Sequence, residues 1–147
     1  MNKTLKIYTD GACLGNPGPG GWAAILIWNN HEKVISGYSK FSTNNKMELT
    51  AVIESLKSLK KSVKTQIFTD SKYVMNGISS WIIEWKKNNW KTKSKKPVAN
   101  KDLWKNLDEL ILHYEVSFTW VKGHDGNSLN ERCDMIAKEM AKKAQSL

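Results

Sequence analysis

Three strand-like segments come before the first helical pattern, and after it every strand is separated from the next by a helix. "TLKIYTD" (4–10) and "EKVISGYSK" (32–40) alternate apolar and polar residues, the two-residue period of a strand with one buried face. "WAAILIWNN" (22–30) is apolar enough for a central strand and ends in an Asn29-Asn30 turn, while "GNPGPGG" (15–21) is a dense turn or loop signal. These three strands read as an antiparallel meander. "STNN" (42–45) offers several N-cap residues, and the helix after it, about Lys46 to Lys61, has Leu49, Val52, Ile53, Leu56 and Leu59 at helical spacing. "TQIFTD" (65–70) is a fourth strand, and 71–89 reads as one or two helices broken near Gly77. "KDLWKNLDELILHY" (101–114) is an amphipathic helix, "EVSFTWVK" (115–122) a fifth strand and "SLNERCDMIAKEMAKKAQ" (128–145) a final helix. Strands joined by helical crossovers can lie parallel, so the expected fold is a mixed α/β sheet. At 147 residues the chain reads as one domain, 1–147.

Two of these strands end alike, in "IYTD" and "IFTD". Residues two apart in a strand share a face, so Asp10 points with Tyr8, and Asp70 with Phe68. If the two strands are parallel neighbours in register, the aspartates stand side by side at the carboxyl edge, about 4.8 Å apart. Carboxylates that close repel unless one is protonated or a cation lies between them. A hard divalent ion with oxygen ligands is the simple resolution, and the carboxyl edge is where α/β sheets place ligands. Either aspartate alone would serve equally as a turn or helix cap.

Further acids add to the pair. Glu48 falls in the first turn of the expected first helix, one turn before Val52, so it faces towards the sheet; a first-turn glutamate also suits the helix dipole. Asp134 is followed at i+3 and i+7 by Ala137 and Ala141, small residues that allow close approach to other backbone, although Arg132 and Lys138 also fit a solvated face. His124 lies in the glycine-flanked loop "KGHDG", the setting of an exposed histidine as much as of a functional one.

The charge is local. Seven lysines and no acid fall between Lys86 and Lys101, and without them the net charge drops from +9 to +2. Such a block implies a polyanionic partner. Of 23 basic residues only Arg132 is arginine, and lysine suits phosphates better than bidentate reading of bases. Trp81, Trp85 and Trp90 interleave with the lysines; Trp81 and Trp85, one helical turn apart, also fit a core stripe, the preferred place for Trp85. Cys13 and Cys133 are too few for a disulfide framework, and with no signal-peptide pattern and no membrane-length apolar run the chain reads as cytoplasmic. Without heptads or a large apolar patch, monomer is the default expectation.

"TDGACLGNPGPGGWA", "MELTAVIESL", "TDSKYV" and "WVKGHDGNSLNERCDMIA", in this order and spacing, resemble ribonuclease H type 1, the bacterial-type ribonuclease HI family, from Lys6 to about Ala141. The resemblance implies an RNase H-like fold with a five-stranded sheet of order 3-2-1-4-5 flanked by helices. It implies an endonuclease that cleaves the RNA strand of RNA–DNA hybrids with two Mg²⁺ (or Mn²⁺) ions, leaving 5′-phosphate and 3′-hydroxyl ends. The metal carboxylates carry over onto Asp10, Glu48, Asp70 and Asp134, and the catalytic histidine onto His124. Asp125 follows it where many relatives carry a small residue, an acid placed to raise the histidine's pKa. Contacts to the RNA strand fall on the loop Cys13–Asn16, Asn44, Asn45 and Asn76, and a phosphate pocket for the DNA strand on Thr43 and Asn100. Lys72 and Asn76 stand where bacterial relatives often carry glutamine. The resemblance makes residues from about 81 to 101, with Trp81, Lys86 and Lys87, a basic protrusion that lies along the DNA strand. No membrane and no obligate protein partner is implied.

Two other classes share some of these features. Junction resolvases and integrases have similar acidic clusters, and a non-catalytic hybrid-binding module would share the basic block. The protrusion and the full set of motifs count against the first, and four intact acids against the second. A zinc site built on His124 and Cys133 lacks further ligands at suitable spacing.

Overall fold

The computed structural model describes residues 4–122 and 128–147. Strands β1 (Leu5–Cys13), β2 (Gly18–Trp28) and β3 (His31–Ser42) form the antiparallel meander. Helix α1 (Asn44–Lys57) leads to β4 (Thr65–Thr69). Helix α2 (Lys72–Asn76), a π-helical turn (Gly77–Trp81) and α3 (Ile82–Lys87) follow, then α4 (Lys101–His113), β5 (Val116–Trp120) and α5 (Ser128–Gln145). The sheet order is β3-β2-β1-β4-β5, with β4 parallel to both β1 and β5. This is the mixed five-stranded sheet expected from the sequence.

One face of the sheet carries the main core. Leu49, Val52 and Leu56 of α1 are fully buried with Ile7, Ala24 and Ile67 of the sheet and Trp104 and Leu107 of α4. Burying each of these leucine, isoleucine and valine side chains contributes about 1.5–3 kcal/mol. The thinner opposite face is covered by α5, through Cys133, Ala137 and Ala141. The small-residue stripe allows close contact: a Cβ on Gly21 of β2 would lie 2.2 Å from the Ala137 carbonyl oxygen.

One local expectation is corrected and another is refined. Helix α1 starts at Asn44, capped by the Thr43 hydroxyl, which accepts from the Lys46 amide at 3.2 Å. Glu48 is therefore in the second turn, where a favourable dipole no longer explains it. The segment after β4 does divide at Gly77 into two α-helices, but the backbone stays helical between them through the π-helical turn. Gly77 is needed for packing: a Cβ there would lie 2.0 Å from the Trp104 ring. Its lack of a side chain admits the indole.

Beyond α3 the lysine-rich segment doubles back on itself. Thr92 N–H donates to the Lys96 carbonyl at 2.8 Å and Val98 N–H to the Trp90 carbonyl at 3.2 Å, with an isolated bridge between Lys91 and Pro97. Trp81, Trp85 and Trp90 form an aromatic chain, with successive ring centroids 5.9 and 6.2 Å apart, that packs against the core beside Tyr73 and Trp104. No described helix is long and apolar enough to cross a membrane.

Candidate active site

Strands β1 and β4 place two aspartates at the carboxyl edge of the sheet. Tyr8 is paired with Phe68 in the ladder, and Asp10 and Asp70 each follow two residues later. Thr9 and Thr69 point into the protein and are buried, as strand alternation requires. Helix α1 brings Glu48 to the same edge by packing directly on β1 at Gly11. A Cβ on Gly11 would lie 2.4 Å from the Met47 carbonyl carbon and 2.5 Å from the Glu48 amide nitrogen. The Gly11 amide donates to both Asp10 Oδ1, at 2.9 Å, and Glu48 Oε1. One carboxylate oxygen from each of Asp10, Glu48 and Asp70 falls within 4.8 Å of the others.

The backbone around Asp70 is fixed from both sides. Its carbonyl accepts from the Trp120 indole at 3.2 Å, and the Ser71 amide donates to the Thr69 hydroxyl at 3.1 Å. The Ser71 hydroxyl caps α2 by accepting from the Val74 amide. Asp134 lies outside the carboxylate triplet but lines the same open cleft, of about 470 Å³, with Lys138 and Lys142. Its Oδ2 is 3.0 Å from Lys138 Nζ. Arg132 turns away from the cleft to form a bidentate pair with Glu32 at 2.8 and 3.0 Å.

Burial and like charge hold the acids towards their protonated forms. Burial raises the Asp10 pKa to about 7; a hydrogen bond with Glu48 pulls against the rise, and the charges of Asp70 and Asp134 add to it. Glu48 lies well above the usual carboxylate range, through burial first and then its contact with Asp10. A neutral-pH site without a cation thus retains a proton between Asp10 and Glu48. An all-oxygen donor set that lacks positive charge suits a hard divalent cation. Cys133 fills the neighbouring wall: its thiol donates to the Tyr8 carbonyl at 3.2 Å, and burial pushes its pKa up to about 12. Such a thiol is a packing group, poorly suited to bind zinc.

The sequence model of the RNase H family matches residues 2–142. The chain belongs to the RNase H family. It is 56% identical over 141 residues to a ribonuclease HI from Neisseria meningitidis serogroup B (strain ATCC BAA-335 / MC58), covering 96% of this chain and 97% of that protein. A ribonuclease H from Pseudoalteromonas atlantica (strain T6c / ATCC BAA-1087) is 54% identical over 139 residues, covering 95% and 91%. Among solved structures, LC9-RNase H1, a type 1 RNase H with the type 2 active-site motif, superposes with a TM-score of 0.87 at 26% identity, covering 98% of this chain and 74% of that one. LC11-RNase H1, solved in complex with an RNA/DNA hybrid, shares the fold with a TM-score of 0.68 at 23% identity, covering 95% and 98%.

Of the remaining residues that the RNase H resemblance singles out, only some line the cleft. Cys13 and Asn44 line the carboxylate cleft. The Cys13 thiol donates to the Gly18 and Ser42 carbonyls at 3.2 and 3.3 Å, and Asn16 Oδ1 accepts from the Asn44 amide at 3.1 Å. Thr43 is occupied as the α1 cap. Asn45 and Asn76 are exposed. Asn100 begins α4 in the left-handed region, φ 57°, and donates to the Tyr73 hydroxyl at 3.0 Å. Trp81 is half-buried in the aromatic chain. Lys87 is exposed, but Lys86 Nζ pairs with Asp108 of α4 at 3.0 Å. His124 and Asp125 lie outside the described residues.

Sequence reasoning treated Lys138 only as the neighbour of a solvated face and missed both Lys142 and Trp120. The i,i+4 spacing of Asp134 and Lys138 was the available signal for the ion pair. The Trp120 contact joins strand ends whose relative position only the folded sheet fixes.

Proposed function

We propose that this chain acts as an endonuclease on RNA–DNA hybrids, hydrolysing the RNA strand to leave 5′-phosphate and 3′-hydroxyl ends. The observation that carries this is the convergence of Asp10, Glu48 and Asp70 within 4.8 Å at the sheet's carboxyl edge, in a member of the RNase H family. Those three residues and Asp134 would hold Mg²⁺, or Mn²⁺, as two ions in the presence of substrate. When bound, such ions supply an activated water and stabilise the charge of the leaving 3′ oxygen.

The protein's own groups have separate tasks. Asp10 and Glu48 give up their shared proton to become full ligands. The Gly11 amide orients both carboxylates, and Trp120 holds the backbone that carries Asp70. His124 takes or delivers a proton at the cleavage site near neutral pH. Cys13, through its backbone, and Asn16, Asn44, Asn45 and Asn76 meet the shallow minor groove, where 2′-hydroxyls mark the RNA strand. Thr43, Trp81, Lys86, Lys87 and Asn100 follow the DNA strand, with the 81–101 protrusion as part of one domain spanning 1–147. LC11-RNase H1, which shares the fold, was solved in complex with an RNA/DNA hybrid, which supports this choice. The chain works as a cytoplasmic monomer without an obligate partner.

Incubation with end-labelled hybrid, double-stranded RNA, double-stranded DNA and a four-way DNA junction, with and without Mg²⁺, tests this. Mg²⁺-dependent cutting of the RNA strand of the hybrid alone is the expected result. Cutting of the junction, or hybrid binding without cleavage, would overturn it.

A further inference from the structure

We propose that Lys138 is a built-in counter-cation of Asp134 that competes with a divalent ion for this carboxylate. The proposal rests on the metal-binding role given above to the four acids. Asp134 stands outside the Asp10–Glu48–Asp70 triplet, and its Oδ2 lies 3.0 Å from Lys138 Nζ. The two residues are one turn apart on α5, so the pair forms within one helix and requires no substrate. Both line the cleft that also holds Asp10, Glu48 and Asp70. The ammonium therefore supplies positive charge to the acidic cleft when no metal does.

The two ends of the site differ as a result. An ion held by Asp10, Glu48 and Asp70 binds without disturbing Lys138. An ion that uses Asp134 Oδ2 must first separate it from the lysine, which lowers its affinity by the strength of that pair. Lysine suits this role as a mobile point charge: its side chain is 54% exposed, and the flexible aliphatic stem lets the head swing into solvent. Loading at Asp134 is then weak unless another negative group, such as a substrate phosphate, contributes ligands. Lys142 lines the same cleft but forms no ion pair with Asp134, and so serves as a control for general charge.

The test is calorimetric titration of the full chain with Mn²⁺ and with Mg²⁺, together with the rise in melting temperature that each ion produces. Lys138→Met keeps the stem and removes the charge. It should tighten the weaker binding event, the one that uses Asp134, about two- to five-fold, the span expected for releasing a partly exposed ion pair, and leave the event at Asp10, Glu48 and Asp70 unchanged. Lys138→Arg should behave like the wild type, Lys142→Met should tighten binding less, and in an Asp134→Asn background Lys138→Met should have no further effect. Equal tightening by Lys142→Met, tightening that persists with Asp134→Asn, or no tightening would overturn the role of Lys138. Failure of the wild type to take up either ion would refute the metal-site reading itself, and the proposal with it.

Discussion

Tyr8 and Phe68 stack face to face across the β1/β4 pair, with ring centroids 4.5 Å apart and 9° between the ring planes. They are direct partners in the parallel ladder and point to the same face as Asp10 and Asp70, two residues on. The stack thus fixes the register of the strands just before they deliver the carboxylates. Phe68→Ala should cost about 1–3 kcal/mol, less than a fully buried phenylalanine because the ring is only half-buried. It should also raise the Mg²⁺ concentration needed for half-maximal cleavage. Denaturant unfolding checks the first effect and a metal titration of activity the second; an unchanged metal requirement would mean that the ladder alone sets the carboxylate spacing.

Replacing either paired aspartate separates catalysis from folding. Asp10→Asn or Asp70→Asn should abolish cleavage and leave hybrid binding intact. Asp10→Asn should also stabilise the ion-free protein. The native Asp10 pKa of about 7 is above the ordinary 3.8, so between these values the native state binds more protons than the unfolded chain. Stability contributed by this group is present below pH 3.8 and is lost as pH rises through about 7. The amide removes that loss, so we expect a gain of roughly 1–3 kcal/mol at pH 7.5 in chelator and little gain at pH 4. Unfolding curves at the two pH values, with a hybrid cleavage assay, provide the comparison.

The protrusion should act through phosphate charge. Alanine at Lys87, Lys91, Lys93, Lys95 and Lys96 should raise KM, spare kcat and flatten the salt dependence of hybrid binding by about 0.9 for each phosphate that is no longer neutralised. Lys86 should contribute less than its neighbours, since its ammonium is paired with Asp108. Extending the multiple variant with Lys86→Ala should therefore change the salt slope little; a large further flattening would show that the pair opens for substrate.

Much of the fold was legible because its signals are local. Strand alternation gave Asp10 and Asp70 one face, and the Ala137–Ala141 stripe marked the buried side of α5. The order β3-β2-β1-β4-β5 came with the family resemblance, since hydrophobic period alone does not say which edge a crossover strand joins. The errors and omissions arose where tertiary contacts override local preference. Gly77 does mark the end of α2, but the reason a glycine stands there shows only once the Trp104 ring is placed against it. Glu48 was rightly aimed at the sheet, but the hydrogen bond from Gly11 that holds it depends on the close approach of two distant segments. Lys86 looked like a free cation because Asp108, its partner, lies on another helix.

The proton retained by Asp10 and Glu48 makes metal binding pH-dependent. Divalent ions require the ionised carboxylates, so ion and proton compete, and ion affinity falls as pH drops below the Asp10 pKa of about 7. Glu48 is likewise raised well above its ordinary value, through burial first and then its contact with Asp10, and so takes part in the same competition. Mn²⁺ titrations in buffers of different ionisation enthalpy should show proton release on binding at pH 6.5. Apparent affinity should rise by up to about tenfold per pH unit for each proton displaced. Asp10→Asn has one fewer titrating group and should show a shallower dependence and less proton release, although its absolute affinity is lower. Binding without proton release at pH 6.5 would mean that the pair is already ionised before the metal arrives, contrary to the desolvation that the buried site imposes.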